Sequence, residues 1–341
     1  MHPARKYLFC RTLEGDHPSA REASCRRPPL AESASPPARG FRPVSVLHLA
    51  VKFNAGEPIG SFCSRLAAAY GQSSASYFAE LFHFSFRGLL NGEPRDVAIF
   101  SEITGIPVGR LQNRLIVQEG NKVRVNGHLF ARRFVDPLRC KLCPQCVMER
   151  LGLYRNCARP HAKVEWMLKP MRCCSVHDCE LITFKGRTWQ ESADFAWVVR
   201  ENLKLIERGA DRVEPTSFHR YLSSRLMEGV GGYNWLDALP LQTAIHFTET
   251  LGAVIRHGIE PDLETLTTSE WIDAGREGIA VTSAGLDAVE RVLGEIASRP
   301  MSRGRNLLTT AFGRLAVEVL EFEIDPGYRE IVSVMNAVAA D

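Results

Sequence analysis

CPQC at residues 143–146 and CSVH at residues 174–177 decide the fold of the middle of this chain, because each motif contains two metal-ligand side chains. Twenty-seven residues separate the two motifs, and two close pairs joined by a loop are typical of a tetrahedral zinc site. Four protein ligands leave no coordination position for a catalytic water, so the metal that this pattern predicts is structural. The predicted Zn²⁺ ligands are Cys143, Cys146, Cys174 and His177.

Other cysteines and a histidine near these motifs offer alternative ligands. Cys174 and His177 keep the two-residue spacing of the first pair, which favours them over three neighbouring cysteines. These rivals are Cys140, Cys173 and Cys179. Cys157 and His161 form a Cys-x3-His pair that could belong to a second site, although an unpaired thiol and an ordinary histidine are the simpler interpretation.

The composition predicts a soluble, cytoplasmic protein without a membrane partner. Of the 341 residues, 45% are hydrophobic and 24% are charged, which is ordinary for a globular protein. The sequence has no apolar run of the roughly 18 residues that a membrane helix needs, and its start lacks the apolar core of a secretory signal. Seven of the ten cysteines lie within residues 140–179, which favours a metal site in a reducing compartment over secreted disulfides.

The net charge of +3 conceals an uneven distribution. Residues 87–172 carry sixteen basic and seven acidic side chains, whereas residues 173–341 have a net charge of −10. A basic segment around a zinc site predicts contacts with the phosphate groups of DNA. The alternative is a solvated surface whose charges are segregated without a functional consequence.

Three segments are predicted along the chain, and the predicted fold class is mainly α. Residues 1–44 are rich in Pro, Ser, Ala and Arg and are predicted to be a disordered basic tail. Residues 45–185 are predicted to be a helical domain with a small zinc-ribbon insert, and residues 186–341 a helical C-terminal domain. In the last segment, helices are expected near residues 192–207, 215–228, 241–257, 284–298, 307–322 and 327–339.

A helix-turn-helix-like pair is predicted before the zinc motifs. VAIFSEITG (97–105) and PVGRLQNRLIV (107–117) read as two helices joined by a turn. Arg110 and Arg114 would share one face of the second helix. That face would meet DNA in one interpretation, and in the other the helices form a packing hairpin with solvated arginines. Further upstream, Ser61 is predicted to be the N-cap of the first helix.

A small β-hairpin is predicted between the helical pair and the zinc motifs. Val123 and Val125 alternate with basic residues, and Asn126-Gly127 is a preferred hairpin turn. This stretch makes the region locally basic. Together with the helical pair, it supplies the predicted DNA contacts Arg110, Arg114, Lys122, Arg124, Arg132 and Arg133.

The common motifs of metal and nucleotide enzymes are absent from the sequence. A nucleobase deaminase would need His-x-Glu before Pro-Cys-x-x-Cys, and a zinc peptidase would need His-Glu-x-x-His. The sequence also has no Gly-x4-Gly-Lys-Ser/Thr loop and no Gly-x-Ser-x-Gly elbow. We therefore predict that the protein is not an enzyme.

Three motifs occur in order within residues 45–185: GEPIGSFCSRLA (56–67), CPQCVMER (143–150) and EWMLKPMRCCSVHDCELI (165–182). Together they resemble the TniQ family of accessory proteins of bacterial DNA transposition. The second is similar to the family's Cys-Pro-x-Cys-Leu-x-Glu and the third to its Trp…Cys-x-x-His-x3-Leu. The departures are Val147 for Leu, Lys163 for Arg, Ser175 for Pro, and the lack of any cysteine after Cys179.

The resemblance implies a non-enzymatic protein that helps to choose the insertion site by linking target DNA, or a DNA-bound complex, to the transposition machinery. It implies that a transposase and an AAA ATPase regulator are separate partners, and it leaves a homodimer open. Two alternatives stay open as well. One is a zinc-containing transcriptional regulator that binds DNA, and the other is a protein-interaction scaffold without DNA contact.

Two features of the resembling motifs allow a structural expectation. Glu57 and Arg65 are about two helical turns apart, so we do not expect them to pair directly and expect each to brace a neighbouring segment. Trp166 lies between the two zinc motifs and is expected to pack over the knuckle, which has little core of its own.

Overall fold

Helices make up most of the described chain, which a computed structural model defines for residue 47 and for residues 51–136, 138–299 and 306–340. Within these residues there are seventeen α-helices and five short strands, so the predicted mainly α fold is confirmed. The predicted tail at residues 1–44 lies outside the described residues. No described helix combines the length and the apolarity that crossing a membrane requires.

Five short helices begin the described fold. They are α1 (Ile59–Ala69), α2 (Ala75–Leu81), α3 (Phe86–Asn91), α4 (Pro94–Thr104) and α5 (Val108–Gln112). Their apolar faces bury one aromatic core, in which the rings of Phe62 and Phe100 meet edge to face at 5.8 Å. The prediction that Ser61 caps α1 is wrong, because the helix begins at Ile59 directly after Pro58 and places Ser61 in its first turn.

The pair α4–α5 has the predicted turn but a shorter second helix. Gly105 ends α4 in the left-handed conformation at φ 67°, and Pro107 precedes α5. The prediction of a helix over residues 107–117 is wrong beyond Gln112. Ile116 and Val117 are β-branched and enter a strand, where their backbone pairs with Val125 and Arg124.

A three-stranded antiparallel sheet follows α5. Its strands are β1 (Ile116–Glu119), β2 (Lys122–Val125) and β3 (His128–Ala131), in that order across the sheet. The predicted hairpin is confirmed, because β2 and β3 are joined by Asn126 at φ 48° and Gly127 at φ 87°. The side chains of Val125 on β2 and Phe130 on β3 are fully buried.

The zinc motifs lie between two strands that pair with each other. β4 (Arg139–Leu142) and β5 (Ile182–Lys185) are antiparallel, with Cys140 opposite Phe184. Helix α6 (Pro144–Leu151) follows β4 directly. The strand pair therefore closes the base of a long excursion that holds both motifs.

The rest of the described chain is helical, as predicted. Its helices are α7 (Trp189–Ala193), α8 (Phe195–Glu201), α9 (Leu203–Arg208), α10 (Ser217–Glu228), α11 (Asn234–Ala238), α12 (Leu241–His257), α13 (Thr268–Thr282), α14 (Leu286–Ala297), α15 (Leu307–Phe312), α16 (Arg314–Leu320) and α17 (Pro326–Ala340). One hydrophobic core includes Val125 and Trp166 as well as Phe247 and Tyr328. The predicted domain boundary after residue 185 stays a prediction.

Helices α12 and α13 approach closely because each has a glycine at the crossing. A Cβ placed on Gly252 would lie 1.8 Å from the carbonyl oxygen of Ala274, and one placed on Gly278 would lie 1.9 Å from that of Thr248. Both distances are far below van der Waals contact. The two backbones can therefore pack at this distance only without side chains at these positions.

We predict that Gly278→Ala lowers the free energy of unfolding by about 2 kcal/mol or more, because the methyl group forces the two helices apart. Gly294→Ala in α14 is the matched control, since its Cβ would meet nothing within 4 Å. The control should gain about 0.5–1 kcal/mol through the higher helix propensity of alanine. Urea unfolding of both variants measures the difference, and equal effects would contradict this account of the crossing.

Candidate metal centre and its supports

The four predicted ligand side chains converge on one point. The ligand atoms of Cys143, Cys146, Cys174 and His177 all lie within 4.8 Å of one another. The Sγ atoms of Cys146 and Cys174 are 3.7 Å apart. Two sulfurs that bind one tetrahedral zinc at about 2.3 Å are about 3.8 Å apart. The donor set and its spacing therefore fit a tetrahedral metal ion.

Helix α6 positions the first pair of ligands. Cys143 is its N-cap, and the Cys146 backbone N–H donates to the Cys143 Sγ over 3.3 Å. In the second motif the Val176 N–H donates to the Cys174 Sγ over 3.4 Å. Backbone donors stabilise sulfur in its anionic form, and the N-terminus of α6 adds a favourable dipole. Each motif therefore directs a backbone N–H at one of its own sulfurs.

The imidazole of His177 is oriented by a carboxylate. Its Nε2 lies 2.9 Å from Oε1 of Glu149 on α6. The Nδ1 faces the sulfurs, at 3.1 Å from Cys146 and 3.5 Å from Cys143. A hydrogen bond from Nε2 to the carboxylate leaves Nδ1 as the nitrogen available to a metal ion. Glu149 is thus a support of the site that the zinc spacing alone does not reveal.

The pKa values of the clustered thiols are shifted in opposite directions. Hydrogen bonds from Cys146 and Cys174 lower the pKa of Cys143 to about 2. The pKa of Cys146 is raised, first because it donates to Cys143. A bound metal ion displaces these protons, since thiolates and not thiols are the ligands. Binding of a metal ion at this cluster therefore releases protons.

The rival cysteines are placed differently from the four ligands. Cys140 faces the apolar core from β4, and burial raises its pKa to about 12; burial also raises the pKa of Cys173 to about 12. Cys179 is closer, with its Sγ 3.5 Å from that of Cys143. Burial raises the pKa of the Cys179 thiol as well.

Cys157 and His161, the alternative second pair, do not belong to a cluster of metal ligands. The His161 ring nitrogens lie 2.6 and 2.8 Å from a guanidinium nitrogen of Arg150. Burial, reinforced by the charge of Arg150, lowers the pKa of His161 to about 3. Across the described residues, the four-ligand group is the one cluster of three or more potential metal ligands.

A buried ion pair supports the centre from the N-terminal helices. The Arg65 Nη1 lies 2.7 Å from Oε2 of Glu57, and both side chains are at most 5% exposed. The expectation that these residues do not pair is therefore wrong. Glu57 precedes α1 at the end of a turn that begins at Asn54 and includes Gly56 at φ 70°, so helical spacing does not apply to it. The turn carries the carboxylate back over the helix to the guanidinium.

The same ion pair holds the segment between the two zinc motifs. The Arg65 Nε donates to the carbonyl of Ala158 over 2.8 Å. Ser61 donates to Glu57 and accepts from the Ala162 N–H, each over 3.0 Å. The Val164 N–H donates to the carbonyl of Gly56 over 2.8 Å. The first TniQ-like motif, residues 56–67, therefore holds the loop between the two metal-ligand motifs. We call the Glu57–Arg65 pair with these hydrogen bonds the clasp.

Trp166 is buried in the core that also contains Cys143 and Cys146. The ammonium of Lys163 lies 5.6 Å from the centre of the Trp166 ring. The indole is therefore buried, and its expected packing over the knuckle stays a prediction.

Two of the six predicted DNA contacts are exposed and unpaired. Within the described residues, Arg110 and Arg132 make no ion pair or side-chain hydrogen bond, and both are exposed. Arg114 is half-buried and donates to Oδ1 of Asn126 over 2.8 Å. Burial, and then the charge of Arg110, lowers the pKa of Arg114. The two arginines are therefore close enough for their charges to interact.

The other three predicted contacts have partners inside the chain. Lys122 pairs with Asp325 at 2.6 Å, and Arg124 pairs with Glu119 at 2.5 Å. Arg133 contacts Glu318 at 2.9 Å and Glu321 at 2.6 Å, and lies 4.4 Å above the Phe322 ring. Nothing in the local sequence shows these partners, because most of them lie over 180 residues away.

A buried polar network surrounds the Arg133 contact. The His246 Nδ1 lies 2.9 Å from the hydroxyl of Tyr328, and its Nε2 lies 3.3 Å from Oε2 of Glu318. Although burial alone would raise it, the hydrogen bond from His246, with Arg133 nearby, lowers the pKa of Glu318 to about 2. The ionised carboxylate joins β3 and its following turn to helices α12, α16 and α17.

We predict that Cys143→Ser and Cys174→Ser chains lose bound metal and the ordered structure of residues 143–181. Structural zinc contributes on the order of 10 kcal/mol of apparent binding energy in small peptides, far more than this segment's own core can supply. Elemental analysis and proteolysis of the purified chains measure both losses. Cys157→Ser is the control and should keep its metal; full occupancy in all three variants would refute the ligand set.

We predict that Arg65→Met lowers the free energy of unfolding by about 3–5 kcal/mol, because it leaves the Glu57 carboxylate buried without its partner. Arg124→Met removes an exposed ion pair and serves as the control, with little expected change. The double variant Glu57→Gln/Arg65→Met should recover part of the loss. Denaturant unfolding measures all three, and a loss in Arg65→Met no larger than in the control would contradict the clasp.

We predict a pH-dependent contribution from Glu318. Its folded pKa of about 2 is below its unfolded value, so the stabilisation is present above the unfolded pKa and is lost as pH falls towards 2. The shift corresponds to about 3 kcal/mol. Unfolding measured from neutral to acidic pH should show a smaller acid loss in Glu318→Gln than in wild type. The exposed Glu330→Gln should match wild type, and an unchanged acid loss in Glu318→Gln would count against this network.

Comparison with known proteins agrees with the motifs. Residues 48–181 match the TniQ family model, and no curated protein matches the chain. The matched range covers about two-fifths of the chain and contains both the Glu57–Arg65 clasp and all four ligand residues. TniQ domains are associated with accessory functions in DNA transposition. The chain therefore carries a TniQ domain at residues 48–181.

Proposed function

We propose that this protein is a non-enzymatic accessory factor that helps to select the target site of a transposon. In this role it links DNA, or a DNA-bound complex, to a separate transposase and an AAA ATPase regulator. The observation that carries the proposal is the match of residues 48–181 to TniQ, a range whose motifs form one clasped framework. In this proposal the protein acts in the cytoplasm, where bacterial DNA is found.

The metal centre supports a role in binding and not in bond chemistry. We propose that its ion is Zn²⁺, held by Cys143, Cys146, Cys174 and His177. When bound, such an ion supplies cross-linking of the fold, because four protein ligands fill its tetrahedral shell. The residues around it hold the ligands in place: Glu149 orients the imidazole, and α6 presents the first pair.

We propose that DNA is contacted chiefly at its phosphates. Arg110 on α5 and Arg132 after β3 are the predicted contacts that stay exposed and unpaired within the described chain. Helix α5 has five residues, or about 7.5 Å of helix, which is short for reading base edges in a major groove. Arg114 adds to the positive potential beside Arg110, whereas Lys122, Arg124 and Arg133 already pair with acidic residues of the chain.

The test is salt-dependent binding of the whole chain to duplex DNA. We predict that Arg110→Gln/Arg132→Gln weakens binding for all sequences and makes the slope of log K against log salt shallower by about two units. Arg220→Gln, which neutralises an exposed arginine on α10, is the matched control and should keep the wild-type slope. An unchanged slope in the double variant would overturn the assignment of these contacts.

Reconstitution with the transposase and ATPase tests the wider proposal. With this protein present, insertions should concentrate at particular sites, and the double arginine variant should spread them. If the chain binds DNA but leaves the insertion pattern unchanged, a transcriptional regulator is the better description. If insertions are directed without any salt-dependent DNA binding, the protein acts as a scaffold.

A further inference from the structure

The loop that follows α6 exposes two large apolar side chains to solvent. Leu153 is 98% exposed and Tyr154 is 91% exposed. They are neighbours in the sequence and, of the large hydrophobic residues described, they are the two most exposed. Single exposed apolar residues are normal, but an adjacent pair at the tip of an ordered loop is a candidate interaction site. We call residues 152–156 the tip loop.

The tip loop is held in one conformation by its own backbone. The Arg155 N–H donates to the carbonyl of Gly152 over 3.2 Å and closes a turn around Leu153 and Tyr154. The Asn156 N–H then donates to the carbonyl of Leu151 over 3.1 Å. Arg155 has φ 48°, a conformation that a non-glycine residue adopts only when its surroundings enforce it. The two apolar side chains are therefore presented at low entropic cost to a partner.

Both ends of the tip loop are fixed by the supports of the metal centre. Leu151 is buried at the end of α6, the helix that carries Cys143 and Cys146. On the other side, the carbonyl of Ala158 accepts from the buried Arg65. The Arg155 guanidinium also pairs with Glu207 on α9 at 2.5 Å. Helix α6 of the metal knuckle therefore fixes the N-terminal end of the tip loop, and Arg65 of the Glu57–Arg65 clasp fixes its C-terminal end.

The surroundings of the tip loop are apolar and positively charged. Met148 lies one helical turn before the loop, where its carbonyl accepts from the Gly152 N–H, and its side chain is exposed. The guanidinium of Arg159 lies against Gly152, with its Nη1 3.6 Å from a Cβ placed there. Among the described residues Arg159 has no ion-pair or hydrogen-bond partner for its side chain, and it is exposed. An unpaired cation beside an apolar knob favours a partner with acidic groups.

We propose that the tip loop is a docking site for a partner protein that offers an apolar pocket with acidic side chains at its rim. Leu153 and Tyr154 enter the pocket, and Arg159 pairs with the rim. A protein fits better than a nucleic acid, because leucine and methionine do not stack on bases, whereas tyrosine and arginine with apolar neighbours are typical interface anchors. This docking role does not require that the protein act in transposition.

The test selects ligands from a random peptide library displayed on phage, with the whole wild-type chain as bait. The Leu153→Ser/Tyr154→Ser chain serves for counter-selection. It should fold and bind metal as wild type does, because both side chains are exposed. We expect enriched peptides that combine aromatic or aliphatic residues with Asp or Glu. A synthetic consensus peptide should bind at least tenfold more weakly to the double variant and to Arg159→Glu.

Ile324→Ser is the matched control, since it removes an exposed apolar side chain elsewhere in the fold, and it should bind the peptide as wild type does. Equal binding to wild type and the double variant overturns the proposal, as does the absence of any enriched peptide. If the double variant instead loses affinity for single-stranded or duplex oligonucleotides, the site contacts nucleic acid and the proposal is wrong. Normal DNA binding with lost peptide binding separates this site from the proposed DNA contacts.

Discussion

The buried guanidinium of Arg65 is the group on which the TniQ domain depends. It pairs with Glu57 and also donates to the carbonyl of Ala158, which is 93 residues away in the sequence. A buried charge is tolerated only when its partners are in place. Any displacement of the loop after α6 would leave Arg65 with an unmet hydrogen bond. The arrangement of the N-terminal helices and that of the metal loop are therefore energetically coupled.

The metal centre acts on the same loop from the other end. Residues 147–173 leave the first ligand pair and return to the second, and they contain one short helix end and a single turn of 3₁₀ helix at Val164–Met167. A segment with so little regular structure gains order from a cross-link and from tertiary contacts. The clasp at Ala158, Ala162 and Val164 divides it into shorter loops. The metal centre and the ion pair therefore both contribute to the order of residues 147–173.

The sequence was informative where a local pattern determines the structure. Ligand spacing, the Asn126-Gly127 turn and the apolar periodicity of the C-terminal helices each act over a few residues, and the structure has the hairpin and these helices where they were predicted. The errors have a different origin. Glu57 pairs with Arg65 because a turn places it outside the helix, and residues after Gln112 join a sheet whose partner strand comes later. The partners of Arg133 lie far along the chain and leave no local signal.

The uneven distribution of charge along the sequence has a consequence inside the fold as well as on its surface. Basic residues of the segment 87–172 pair with acidic residues of the segment that follows: Lys122 with Asp325, Arg133 with Glu318, Arg155 with Glu207 and Arg172 with Glu249. Much of the excess charge therefore serves cohesion between the TniQ domain and the C-terminal helices. A count of charges overestimates the surface available to DNA for this reason. Among the described basic residues of the segment 87–172, Arg110 on α5, Arg132 after β3 and Arg159 beside the tip loop stay exposed and unpaired, as do Arg87 and Lys169. Charge that the fold does not neutralise is free to act on a partner, so these positions are where recognition by this protein should be sought.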